Sequence, residues 1–190
     1  MALGRLPSGI EVNGAEYPVR TDYRDILQIF EACQDPELTN SEKLQVMLTI
    51  FYQGFAEMPA DDYKEALRQA QWFIDCGRED TGDREQRKLL DWEQDERLIF
   101  PAVNKIAGQE VRALEYLHWW TFMGYFMEIE EGMLSTVLGI RQKKAKRKPL
   151  EKWEREFYAN NKSICDLRQH ITARDQEELD FWEDLLKEDT

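Results

Sequence analysis

Between Tyr116 and Met127 the chain reads Tyr-Leu-His-Trp-Trp-Thr-Phe-Met-Gly-Tyr-Phe-Met, nine of twelve residues being large and apolar and six of them aromatic. A stretch this apolar on every side has to be enclosed, by lipid or by protein. A membrane helix needs about 20 apolar residues, and Glu128, Glu130 and Glu131 close this run well short of that. It is therefore either the central element of a core or a surface that a partner covers.

The remainder of the chain can supply such a core. Its 190 residues suit one domain, and six Trp, seven Tyr and nine Phe give it material to bury. A net charge of −13 keeps the molecule dispersed and works against nonspecific contact with nucleic acid or anionic lipid. No basic start followed by a long apolar run and a small-residue cleavage site marks the N-terminus, so the expected location is the cytoplasm. Cys33, Cys76 and Cys165 are odd in number and lack CxxC spacing, which supports neither a disulfide framework nor a zinc site.

Periodicity points to a mainly all-α fold, a multi-helix bundle with a small N-terminal β-hairpin. Ile10-Glu-Val12 and Tyr17-Pro-Val19 flank Asn13-Gly14, which tolerates the positive φ of a tight primed turn, while Pro18 confines its strand to an edge. From Asp22 the period becomes 3.6, with Ile26, Ile29, Phe30 and Cys33 on one face up to Asp35-Pro36. Thr39-x-x-Glu42 forms a capping box ahead of Leu44, Met47, Leu48, Phe51, Tyr52 and Phe55. A third helix is expected from near Pro59, burying Tyr63, Ala66, Leu67, Ala70 and Phe73, and a polar loop follows over 77–87. The pattern over 91–107 is helical, with a kink or break expected at Pro101. The aromatic helix is expected over about 110–129, then a short helix carrying Met133, Leu134, Val137 and Leu138. After Pro149 come a polar helix with Leu150, Trp153 and Phe157 and a last one opened by Thr172, with Leu179, Trp182, Leu185 and Leu186 on one face. The resulting division is a hairpin arm over 1–20, a bundle core over 21–140, a basic linker over 141–149, and C-terminal helices over 150–190 that pack on the bundle or extend from it.

Three groups of residues could carry chemistry. On a helix, Glu115-x-x-His118 would set a carboxylate beside an imidazole, as in carboxylate-bridged di-iron bundles, but no second ExxH exists and His170 has Leu167 at i−3. An exposed Glu115 and a hydrogen-bonded core His118 explain the pair without metal. Asp91 and Asp95 at i, i+4 would suit a cation, yet acidic residues gather at helix N-termini for capping and dipole reasons alone. The run 141–148, which includes Arg141, Lys143, Lys144, Lys146, Arg147 and Lys148, leaves the rest of the chain at −19. It reads as a solvated linker or as a contact for an acidic protein surface, since single-strand binders interleave aromatics with bases in a folded groove. No glycine-rich phosphate loop, GxSxG elbow or Cys/His nucleophile pair is present. No catalytic residue, cofactor or metal is therefore assigned.

The block Leu90-Asp-Trp-Glu-Gln-Asp-Glu-Arg-Leu-Ile-Phe100, then Leu117-His-Trp-Trp-Thr-Phe122, then Leu138-Gly-Ile-Arg141, resembles the bacteriophage gene-product-fifteen family of siphophages and prophages. The likeness covers about residues 20–165, and its motif falls on Asp91, Trp92, Asp95, Leu117, His118 and Arg141. It departs at Phe100-Pro101, where the family more usually has an uninterrupted helix. The resemblance implies a noncatalytic tail-assembly chaperone in the host cytoplasm, keeping the phage tape-measure protein soluble and working with other tail-assembly proteins, with self-association around that partner as a further mode. The expected partner face is Trp119, Trp120, Phe122, Tyr125 and Phe126. The competing readings are a structural tail or connector subunit of the virion and, from a third class, a metal-dependent helical-bundle enzyme using Glu115, His118, Asp91 and Asp95.

Overall fold

The computed structural model describes residues 4–78 and 89–168. Most of the polar stretch expected as a loop, and the helix expected from Thr172, lie outside the described residues. Two antiparallel strands open the fold, β1 (Gly9–Val12) and β2 (Ala15–Pro18), with Gly9 opposite Pro18 and Val12 opposite Ala15. Asn13 (φ 48°) and Gly14 (φ 87°) make the turn in the left-handed region, where asparagine and glycine are the least strained residues. Ile10 and Val12 turn to the core, and β1 packs on the third helix.

Helix α1 (Tyr23–Gln34) starts where the Asp22 carboxylate accepts the Arg24 amide, and it buries Tyr23, Ile26 and Ile29. Helix α2 (Asn40–Phe51) begins with both halves of the Thr39/Glu42 capping box. Its inner stripe is Met47, Leu48 and Phe51, while Leu44 is exposed. Tyr52 leaves the helix to bridge with Val19 and donates its hydroxyl to the Ala66 carbonyl at 2.8 Å. Two 3₁₀ turns, Phe55–Glu57 and Ala60–Asp62, lead into α3 (Tyr63–Ile74). Ala66 and Ala70, both fully buried, let neighbouring elements approach α3 closely.

Helix α4 (Glu96–Ala107) starts five residues later than its sequence pattern suggests, and it runs through Pro101 instead of breaking there. Pro101 is exposed, on the side where water can hydrate the carbonyl its missing N–H leaves unpaired. A 3₁₀ turn (Val111–Ala113) follows, and the aromatic helix α5 (Trp119–Met127) is shorter than expected. Residues 114–118 are not helical because the chain there is claimed by the start of α1. The Tyr23 amide donates to the Leu117 carbonyl at 3.0 Å, the Trp119 amide donates to the Thr21 carbonyl at 2.7 Å, and the Leu117 amide donates to the Asp22 carboxylate at 2.9 Å. Helix α6 (Met133–Ala145) continues into the basic run, followed by α7 (Lys152–Asn160) and the short α8 (Lys162–Cys165).

One large apolar cluster joins the hairpin to α1 through α5 and reaches Leu134 on α6. A small second cluster, Val137, Ile140 and Cys165, ties α6 to α8.

Candidate functional site

The two aspartates of the Asp91-Trp-Glu-Gln-Asp95 block form a turn instead of a helical face. The Asp91 carboxylate accepts the Gln94 amide at 2.9 Å, and the Asp95 carboxylate accepts the Asp91 amide at 3.0 Å. Side-chain bonds of this kind let Asp outcompete the first turn of a helix. Both carboxylates are buried, and Arg141 arrives from α6 to face Asp95. The guanidinium donates to both Asp95 oxygens, at 2.6 and 2.9 Å. Its remaining donors reach the carbonyls of Leu89 (2.9 Å), Ile164 (2.7 Å) and Cys165 (2.9 Å). All five N–H groups of the arginine are thus satisfied, the condition under which a buried charge is tolerable. Gln94 completes the knot by donating to the Asp166 carbonyl and accepting the Arg168 amide, each at 2.8 Å.

The second block closes around the end of α3. Trp119 donates its indole N–H to the Ile74 carbonyl at 2.9 Å and Trp120 donates to the Phe73 carbonyl at 2.8 Å, so two neighbouring indoles satisfy successive carbonyls of one helix terminus. Their rings diverge from there. Trp119 is buried against Phe30, Trp92 and Phe122, whereas Trp120 is half-buried against Trp72 and Phe73. Gly77, at φ 78°, turns the chain under Trp120, and a Cβ there would sit 3.1 Å from its ring.

His118 caps α5: its Nδ1 accepts the Trp120 amide at 3.0 Å, and its Nε2 lies 3.0 Å from the Pro7 carbonyl. That pair of contacts requires the neutral ring with hydrogen on Nε2. Burial holds the imidazole below its ordinary pKa, opposed by the bond to Pro7. Both nitrogens are engaged, and Glu115 lies on a non-helical segment, so the helical ExxH geometry does not form. Among the described residues no group of three or more His, Cys, Asp or Glu side chains could hold a metal ion.

The residues expected to face a partner divide sharply in exposure. Trp119 and Phe122 belong to the innermost core, Trp120, Tyr125 and Phe126 are half-buried, and Phe126 packs on Trp92 with ring centroids 5.4 Å apart. The basic run divides as well. Lys143 pairs with Glu154 at 2.6 Å, which holds the lysine above and the glutamate below its usual range. Lys144 meets Asp166 at 2.5 Å and the Tyr158 hydroxyl at 2.6 Å. Lys146, Arg147 and Lys148 are exposed beyond the end of α6.

Outside these knots an open groove of about 710 Å³ runs along α1, with Leu27, Trp92, Phe100 and Leu38 among its apolar lining. Periodicity does not reveal it, because one wall is the turn that replaces the start of the expected helix. Asp22 and Gln94 were also missed. Each bonds a segment more than seventy residues away, which no local pattern encodes.

No curated protein and no solved structure matches this chain. The model of the family described as Bacteriophage Gp15 protein matches residues 3–167, a span that includes the Asp95–Arg141 knot and both indole clamps, and the chain belongs to that family.

Proposed function

We propose that the protein is a noncatalytic tail-assembly chaperone, which binds helical segments of the phage tape-measure protein in the host cytoplasm and keeps them soluble until the tail tube encloses them. The observation that carries this reading is membership of a bacteriophage family. It is supported by where the polar motif residues are spent. Asp95, Arg141, Gln94 and His118 use their hydrogen-bonding capacity on the protein's own backbone or on one another, which is the work of a scaffold. A charge of −13 would keep a complex with an aggregation-prone partner dispersed. No helix among the described residues is long and apolar enough to cross a membrane.

Coexpression with the tape-measure protein of the same phage tests the reading. Its soluble fraction should rise, a complex should survive gel filtration, and mass spectrometry should find this chain absent from finished particles. An unchanged soluble fraction with no complex would refute it. Stoichiometric copies in the particle would instead favour a structural subunit, a role to which the exposed basic corner 146–148 and the exposed Trp153 could contribute.

A further inference from the structure

We propose that the groove along α1 is a docking site for an amphipathic helix of about three turns whose apolar stripe is flanked by lysine or arginine. The proposal deepens the chaperone reading and rests on it for the kind of partner. The shape argument comes from the walls. One wall is α1 itself, whose 12 residues span about 18 Å at 1.5 Å per residue, the length of three helical turns. The facing wall is built from Trp92, Glu93, Glu96 and Phe100. Leu27 and Trp92 are half-buried, with Tyr23 and Phe100 beneath them, so the floor offers apolar area without being filled by the protein's own side chains. A groove with this floor suits the apolar stripe of a helix, whose anchors recur at i, i+3 or i+4, and i+7.

Charge decides which helix. Glu31 and Asp35 stand on the α1 side and Glu93 and Glu96 on the other. On α1, Leu27 and Glu31 lie at i and i+4, so a carboxylate continues the stripe that begins with the apolar contact, and Asp35 follows at the C-cap of the helix. Arg24 is the one cation among the described residues that line the groove. It is bound to Asp22 at 3.0 Å, donates to the carbonyls of Arg112 and Leu114, and lies over the Tyr23 ring at 4.6 Å. Its charge is therefore offset inside the protein. Arg112, over the Phe100 ring at 4.9 Å, approaches Glu96 at 3.8 Å but is held more closely by Glu110 at 2.8 Å, so the rim remains acidic at Glu31, Asp35 and Glu93. An acidic helix or a nucleic acid would meet like charge on both sides, which opposes association. The chain's own residues 169–190 carry a net charge of −6 and are disfavoured for the same reason. Among the described residues a second copy offers the short basic corner 146–148 and not a three-turn basic helix.

The test uses the full-length protein and two labelled synthetic peptides of about three helical turns. Both carry leucine at i, i+3, i+7 and i+10. One has lysine at every flanking position and the other has glutamate. Fluorescence anisotropy should show saturable binding of the lysine peptide, at least about tenfold tighter than the glutamate peptide. The double variant Glu31→Lys/Glu93→Lys changes two exposed positions and should invert that preference, whereas Glu11→Lys/Glu16→Lys on the hairpin should leave it intact. Failure of the lysine peptide to bind, or a preference that responds equally to both double variants, overturns the proposal. So does a dimer, seen by sedimentation, that the groove variant disperses and the peptide cannot. The two readings fail separately. Peptide binding without rescue of the tape-measure protein would leave the groove assigned and remove the chaperone role, and rescue by the Glu31→Lys/Glu93→Lys protein would keep that role and move it elsewhere.

Discussion

His118 shows what a single ring can be asked to do. It starts a helix with one nitrogen and holds the N-terminal chain with the other, and the first of these contacts depends on its being neutral, whereas the bond to Pro7 is open to the charged ring as well. Protonation would place a donor against the Trp120 amide, another donor. Because burial holds its pKa below the ordinary value near 6.5, the unfolded chain binds the proton first as pH falls. The stabilisation is complete above that unfolded value and is lost as pH falls toward and through the folded one. The melting temperature should accordingly drop between about pH 7 and pH 5, before most carboxylates titrate. His118→Asn keeps an acceptor at the cap and should flatten that slope, which a pH series of thermal melts would read. Equal slopes in the two proteins would mean that another group sets the acid sensitivity.

Helix α5 and the end of α3 form one mechanical unit, because Trp119 donates to the last carbonyl of α3 and Trp120 to the one before it, which also accepts the Cys76 amide at 3.0 Å. The two indoles should nevertheless answer differently to substitution. Trp119→Ala empties a fully buried site and should cost about 3–5 kcal/mol, whereas Trp120→Phe keeps most of the packing and should cost about 1 kcal/mol for the lost bond. Urea denaturation of both variants measures this, and similar losses would show that the hydrogen bonds outweigh the buried area. Elements whose determinants are local are legible in the sequence: the Asn13-Gly14 turn, the Thr39/Glu42 box, and the stripes that bury Ile26, Ile29, Met47, Leu48 and Phe73. Legibility stops where distant backbone competes. Residues 91–95 look like a helix start until their carboxylates turn on their own amides, and residues 114–118 look helical until the start of α1 pairs with them. The site suffers most from this, since a groove wall made of a turn has no period to detect.

At the scale of the whole molecule, Arg141 is the tie between the large core and the small α6–α8 cluster. The native protein should unfold in one transition, with near- and far-ultraviolet circular dichroism coinciding. Arg141→Met strands the buried Asp95 carboxylate and should cost about 3–5 kcal/mol. It should also release the 150–168 region first, so that the two signals separate and proteases cut there at denaturant levels the native protein withstands. Coincident signals in the variant would show that the small cluster holds without its arginine. The contacts of that arginine differ in kind. Toward α4 it recognises a particular side chain, but toward Leu89, Ile164 and Cys165 it recognises only carbonyl oxygens, which every amino acid carries. Gln94 treats Asp166 and Arg168 in the same way, as main chain. The fastening therefore places strict demands on Asp95, Gln94 and Arg141 and almost none on the identities of the residues they hold. The main chain from Ile164 to Arg168 is thus held whatever side chains it carries, and within it the identities that still matter are Cys165, buried in the small cluster, and Asp166, paired with Lys144.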